Sequence, residues 1–178
     1  MALRRDYTSQ VCSMARTLEI VGERWTLLII RDSFFGVRRF SDFLVHLGIP
    51  KAVLSERLGS LVDWGVLARE LGRGGHDEYV LTEKGVALRP VLRALGDWGD
   101  AFCSPDGPVR TYRHHDCGGR LDDIDQCETC GRRVAPADIL LEPGAGLSTD
   151  ATDPVSAALR SPHRLLTPLE TGSRARVS

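Results

Sequence analysis

Four residues of this chain have the types and the spacing of metal ligands. Residues 114–131 read HHDCGGRLDDIDQCETCG. Cys127-Glu128-Thr129-Cys130-Gly131 sets two thiols two residues apart, followed by a glycine that lets the backbone turn around an ion. His114-His115-Asp116-Cys117-Gly118 repeats the pattern with histidine in the first place. Three sulfurs and one imidazole match the donor set and count of a structural, tetrahedral Zn2+ site. His115 is the competing nitrogen donor, and the matched spacing favours His114. Two readings compete with zinc. A C-x-x-C pair can cycle to a disulfide, although the βαβ context of a thioredoxin-type motif is missing, and the segment can fold without metal.

The two remaining cysteines, Cys12 and Cys103, bracket the first hundred residues. They are expected on the outer ends of the first and last helices. A redox-sensor pairing within or across subunits is one reading; two small buried hydrophobes is the other. Reactivity would require a depressed thiol pKa. Arg16 is the local cation on offer. His46, His76 and His163 stand alone on expected surfaces. There is no G-x-S-x-G, phosphate loop or carboxylate pair in a motif, which argues against an enzyme.

A second kind of chemistry, reading DNA, is suggested by residues 38–64, RRFSDFLVHLGIPKAVLSERLGSLVDW. Apolar residues at Phe40, Phe43, Leu44 and Leu47, and again at Leu54, Leu58, Leu61 and Val62, follow helical spacing. Gly48 supplies a tight turn between the two patterns, and Pro50 can open the second helix. Two short helices so joined predict a helix-turn-helix, whose second helix enters the major groove. Lys51, Ser55 and Arg57 then face base edges and phosphates. Arg38 and Arg39 are placed to grip the backbone, and Arg73 and His76 to flank the minor groove.

The flanking elements follow from periodicity. Leu18, Val21, Trp25, Leu28 and Ile29 predict one helix over residues 15–35, closed by Gly36. Residues 66–71 and 78–81 read as strands around the turn-rich Gly72-Arg73-Gly74-Gly75-His76, a β-hairpin wing. Thr82 can cap a last helix to about Phe102, which Pro90 should kink or split. Trp25, Trp64 and Trp98 are expected in the core or a dimer contact. The predicted fold class is mainly α (α+β). It comprises a winged helix-turn-helix over 1–103, a linker at 104–112, a small zinc-ribbon-like unit at 113–142 and a mostly flexible tail at 143–178. One helical turn is expected near Val155–Leu159. The unit is too short to hold a core of its own, so a metal or the main domain must support it.

Composition sets the outer bounds. With 42% hydrophobic and 26% charged residues in 178, the chain can bury a core. A net charge of −1 means that DNA binding must rely on local basic clusters, among them Arg4-Arg5 and Arg69 with Arg73. Five cysteines are too few for a secreted disulfide scaffold. The N-terminus lacks a signal-peptide core, and the longest apolar run, Trp25–Ile30, is far short of a membrane span. A cytoplasmic protein without membrane association is expected.

Cys12, VGERWTLLIIRD at 21–32, GVRRFSDF at 36–43, GIPKAVLSERLGSLVDWGVL at 48–67 and YVLTEKGVAL at 79–88 together resemble the HxlR-type winged helix-turn-helix regulators. The similarity covers about residues 12–103. It implies a bacterial transcription regulator that binds double-stranded DNA as a homodimer, paired through its first and last helices. It also implies a response, in some members, to oxidants or electrophiles through a cysteine near the first helix. A dimer docking on adjacent grooves would require a near-palindromic operator. A small-molecule effector between the first and last helices is a further reading. The competing class is a protein-interaction module that uses the winged helix and the Cys/His unit as surfaces.

Overall fold

The computed structural model describes residues 11–72 and 74–172. Arg4, Arg5 and Arg73 lie outside the described residues. Four helices lead the chain: α1 (Ser13–Val21), α2 (Arg24–Phe34), α3 (Phe40–Leu47) and α4 (Lys51–Asp63). The single helix expected over 15–35 is broken between α1 and α2. Gly22 closes α1 by donating its N–H to Leu18 O, and Glu23 is extended. The break lets α2 turn inward, so that Ile29, Ile30 and Phe34 are buried while most of α1 stays outside.

The α3–α4 pair forms as expected. Gly48 closes α3 in the left-handed region at φ 59°, which no side chain adopts cheaply, and Pro50 stands at the N-cap of α4. Phe43 of α3 and Leu54, Leu58 and Leu61 of α4 are the buried ridges. Strands β1 (Leu67–Leu71) and β2 (Asp77–Leu81) pair antiparallel, with Leu67 opposite Leu81 and Leu71 opposite Asp77. The chain entering α3 joins their edge, where Tyr79 N–H donates to Arg38 O at 2.8 Å. Thr82 caps the short α5 (Glu83–Val86), its hydroxyl accepting from Gly85 N–H at 3.2 Å. The last helix is split as Pro90 requires, and α6 (Arg89–Cys103) carries that proline in its first turn.

The remaining third of the chain corrects the sequence reading. The linker expected over 104–112 ends early, because β3 (Arg110–His114) begins within it. β3 pairs antiparallel with β4 (Ile139–Pro143), and β4 pairs with β5 (His163–Arg164), giving the order β3-β4-β5. The flexible tail expected from residue 143 is instead packed as far as residue 172. α7 (Pro154–Ala158), one residue ahead of the expected turn, lies on α3. Val155, Leu159 and Leu165 are buried in the same core as Phe34 and Phe43. Leu166 N–H and Leu169 N–H donate to Phe34 O and Gly36 O at 2.8 and 2.9 Å. Val155 and Leu159 share the α7 turn, but Leu165, Leu166 and Leu169 lie outside any helix or strand, so periodicity could not reveal how this segment packs.

Candidate nucleic-acid interface and metal centre

The recognition helix is amphipathic in the sense DNA reading requires. Leu54, Leu58 and Leu61 hold α4 to the core, which leaves Lys51 and Ser55, one turn apart, exposed on the other side with Ala52 and Glu56. Arg57 sits at the edge of that face and is ion-paired to its neighbour Glu56. Arg38 and Arg39 stand at the entry to α3. Their guanidinium nitrogens lie 3.9 Å from the Glu78 carboxylate, and Arg38 Nη2 also donates to Leu166 O at 3.2 Å. A phosphate contact at either arginine therefore has to compete with Glu78. His76 is exposed at the wing tip beside Gly74 and Gly75. On the wing strands, Arg69 pairs with Asp77 at 3.5 Å and lies over the Tyr79 ring.

His46, expected to stand alone, does not. Its Nδ1 is 2.7 Å from Asp32 Oδ2, and Asp32 is fully buried on α2. The other Asp32 oxygen accepts from Arg31 Nε and Nη2 at 3.0 and 2.7 Å. This trio ties α2 to α3, the first helix of the helix-turn-helix. Sequence reasoning missed it because nothing local marks residues 32 and 46 as neighbours.

The four proposed metal ligands converge. One donor atom each from His114, Cys117, Cys127 and Cys130 lie within 4.8 Å of one another. His114 Nδ1 is 3.2 Å from Cys117 Sγ and 3.4 Å from Cys130 Sγ, and Cys117 Sγ is 3.5 Å from Cys127 Sγ. Tetrahedral zinc with bonds of about 2.0–2.3 Å spaces its ligands by roughly 3.5–3.8 Å, so the set is close to a coordination cage. Gly118 and Gly131 have φ of 70° and 69°, the turn each knuckle needs. His115 lies outside the set and faces Asp116. The cage thus selects His114, which β3 and the buried Ile139 opposite it hold in place.

Two of the three thiols are drawn towards the thiolate, whereas Cys117 is pushed up, the Gly119 N–H being outweighed by burial and by the neighbouring Cys127 and Cys130. Hydrogen bonds to Cys130, first from the Arg132 backbone and then from its side chain, hold that thiol down at about 6. The Cys130 backbone N–H lowers Cys127 in the same way. Cys12 caps α1 and Cys103 ends α6, and both are exposed in the single chain.

The fold and the exposed α4 face define a winged helix-turn-helix regulator of the DNA-binding class. The chain belongs to the HxlR-like helix-turn-helix family. The model of that family matches residues 20–107. An uncharacterized HTH-type transcriptional regulator of Mycobacterium tuberculosis is 44% identical over 137 residues, which are 75% of this chain and 87% of that protein. A stretch that long cannot end before residue 130, so it takes in the Cys/His unit as well as α4. The HTH-type transcriptional regulator YodB of Bacillus subtilis is 32% identical over 99 residues, 54% of this chain and 88% of YodB. Among solved structures, PA1607, a candidate transcription factor, superimposes with a TM-score of 0.61 at 35% identity, covering 74% of this chain and 94% of that one. The family and these relatives are transcriptional regulators, not enzymes. No helix among the described residues is long and apolar enough to cross a membrane.

Proposed function

We propose that this regulator binds a near-palindromic operator as a homodimer in the cytoplasm, with α4 in the major groove and the wing beside the minor groove. The observation that carries the reading is the exposed Lys51–Ser55 face of α4, backed by three fully buried leucines. Lys51 and Arg57 reach phosphates or guanine edges, Ser55 bonds a base or backbone, and Arg38, Arg39, Arg73 and His76 supply flanking contacts. Dimer formation is supported by unpartnered apolar side chains on α1 and α6. Leu18, Trp98 and Phe102 are 42%, 59% and 74% exposed, and exposed apolar surface of this kind marks an interaction site. Trp64, 48% exposed, lies at the end of α4 with Lys84 over its ring, so two of the three tryptophans leave the core.

In this reading Zn2+ is bound by His114, Cys117, Cys127 and Cys130. It supplies no reaction; it braces the small β3–β4 unit against α6. The donor set, with three of its spacings between 3.2 and 3.5 Å and all within 4.8 Å, supports this. Cys12 and Cys103, exposed at the outer ends of α1 and α6, are the residues through which an oxidant or electrophile would act on the dimer. The test is protection mapping of DNA upstream of the protein's own gene. Two protected half-sites about one helical turn apart are expected. Absence of protection at any concentration that saturates non-specific binding would overturn the reading.

A further inference from the structure

The returning C-terminal segment does more than cover the winged helix. It borders a solvent-open cavity of about 490 Å³ between α2, α6, β3 and residues 147–160. That volume lies within the range of small-molecule sites. Its apolar lining includes Leu27 and Leu28 of α2, Leu92 and Leu95 of α6, and Phe35 and Leu147. The polar lining is strongly one-sided. Arg31, Arg89, Arg110 and Arg160 enter it, against one carboxylate, Asp100.

Three of those cations are already satisfied. Arg31 is held by Asp32, Arg89 by Asp125, and Arg160 by the carbonyls of Thr149 and Ala151. Arg110 differs. Like Arg160 it has no ion pair among the described residues, but it is held by one carbonyl rather than two: its Nη1 donates to Leu159 O at 2.5 Å, and its guanidinium lies 5.9 Å from the Phe35 ring centre. Burial lowers its pKa, Tyr112 opposes that, and the nearby Arg31 adds to it. A partly buried guanidinium with donors to spare beside an aromatic ring matches a planar carboxylate.

We propose that this cavity binds a small organic acid, an aromatic or alicyclic ring bearing one carboxylate. The carboxylate pairs with Arg110 and the ring lies among the leucines. Arg31 also lines the site, and through Asp32 and His46 it is bonded to α3. A bound anion competes with Asp32 for Arg31 and so bears on the helix that sets the angle of α4. As an effector site it rests on the DNA-binding reading above, but occupancy of the cavity is measured without DNA.

The experiment titrates 2-naphthoate and its uncharged analogue 2-naphthamide into the full-length protein by calorimetry. Naphthoate is expected to bind at least about tenfold tighter than the amide, a difference of about 1.4 kcal/mol. Arg110→Met should abolish that preference. Leu147→Trp, which enlarges a half-buried residue of the lining, should weaken both ligands about tenfold or more even if the arginine variant fails to fold. No naphthoate binding up to millimolar concentration, equal binding of acid and amide, or full binding by Leu147→Trp would each overturn the proposal. The first of these is also the result expected if a second copy of the chain fills the cavity. Operator binding is assayed separately. Loss of ligand binding with operator binding intact sinks only this inference, and ligand binding without operator binding sinks only the regulator reading.

Discussion

Arg89 lies in plane with the carboxylate of Asp125, Nε donating to Oδ2 at 2.9 Å and Nη2 to Oδ1 at 3.0 Å, with both side chains almost wholly buried. Arg89 opens α6, and Asp125 sits in the loop between the two cysteine knuckles. Their bond is therefore the clasp between the winged helix and the Cys/His unit. Tyr112 of β3 reinforces it, with the Arg89 and Arg93 guanidiniums 4.4 and 4.6 Å from its ring centre.

Breaking this clasp leaves a buried charge without its partner. Arg89→Met should cost about 3–5 kcal/mol, read by denaturant unfolding. Replacing both residues, Arg89→Met with Asp125→Leu, should recover most of the loss, because the cost lies in the orphaned carboxylate. A single variant as stable as the parent would show that the unit does not depend on α6.

Removing the metal ligands should act at the same place. Protein purified without chelator is expected to carry one zinc per chain, and Cys127→Ser to carry none. Cys127 is the buried thiol of the set, so its loss should also lower the melting temperature. Zinc content below about one tenth per chain in the parent would rule out the cage.

The thiols of the cage give a pH signature. Cys130 in the folded, metal-free protein titrates at about 6, against roughly 8.5 for an unfolded thiol. A depressed folded value means that thiolate formation favours the fold. That contribution is complete above about pH 8.5 and is lost as pH falls through about 6. In chelator-treated protein, the Cys130-specific part of alkylation by iodoacetamide, read by mass spectrometry, should rise to half its limit near pH 6 and level off by neutrality. Zinc should suppress it. A midpoint near 8.5 would contradict the hydrogen bonding by Arg132.

Operator binding should weaken steeply with salt, because each neutralised phosphate releases counterions. Lys51→Ala should lower affinity and, if Lys51 meets a phosphate, reduce the salt slope by about 1. If it meets a guanine edge instead, the loss should be about 1–3 kcal/mol and confined to one base position. A flat salt response would exclude direct phosphate contact.

Charging the exposed face of α6 should test the dimer. Trp98 and Phe102 pack against each other one turn apart, their tilted rings 5.3 Å between centres, and both are exposed in the single chain. Trp98→Glu should give a monomer by sedimentation while the melting of the fold itself changes little, since the residue is not in the core. A dimer that persists would place the interface elsewhere.

Most elements of the winged helix were legible in residues 12–103 because each is local; the break between α1 and α2 at Gly22 and Glu23 was not, since the helical spacing runs on across it. Helical spacing marks α3 and α4, Gly48 marks the turn, the alternation on either side of Gly72–His76 marks the wing, and Thr82 and Pro90 mark where the last helices begin. The Cys/His cluster was legible for a similar reason, since each knuckle joins residues three apart, and the fold had only to bring the two knuckles together, with His114 rather than His115 beside the thiols. Tertiary structure alone decided the rest. Asp32 with His46, Arg89 with Asp125, and Leu159 and Leu165 with Phe34 and Phe43 are contacts between segments distant in the chain, made by single residues with no period. Burial and charge pairing of that kind depend on which surfaces happen to meet. A run of Gly, Pro, Ser and Ala that looks solvent-bound can therefore close over a core and form the wall of a cavity.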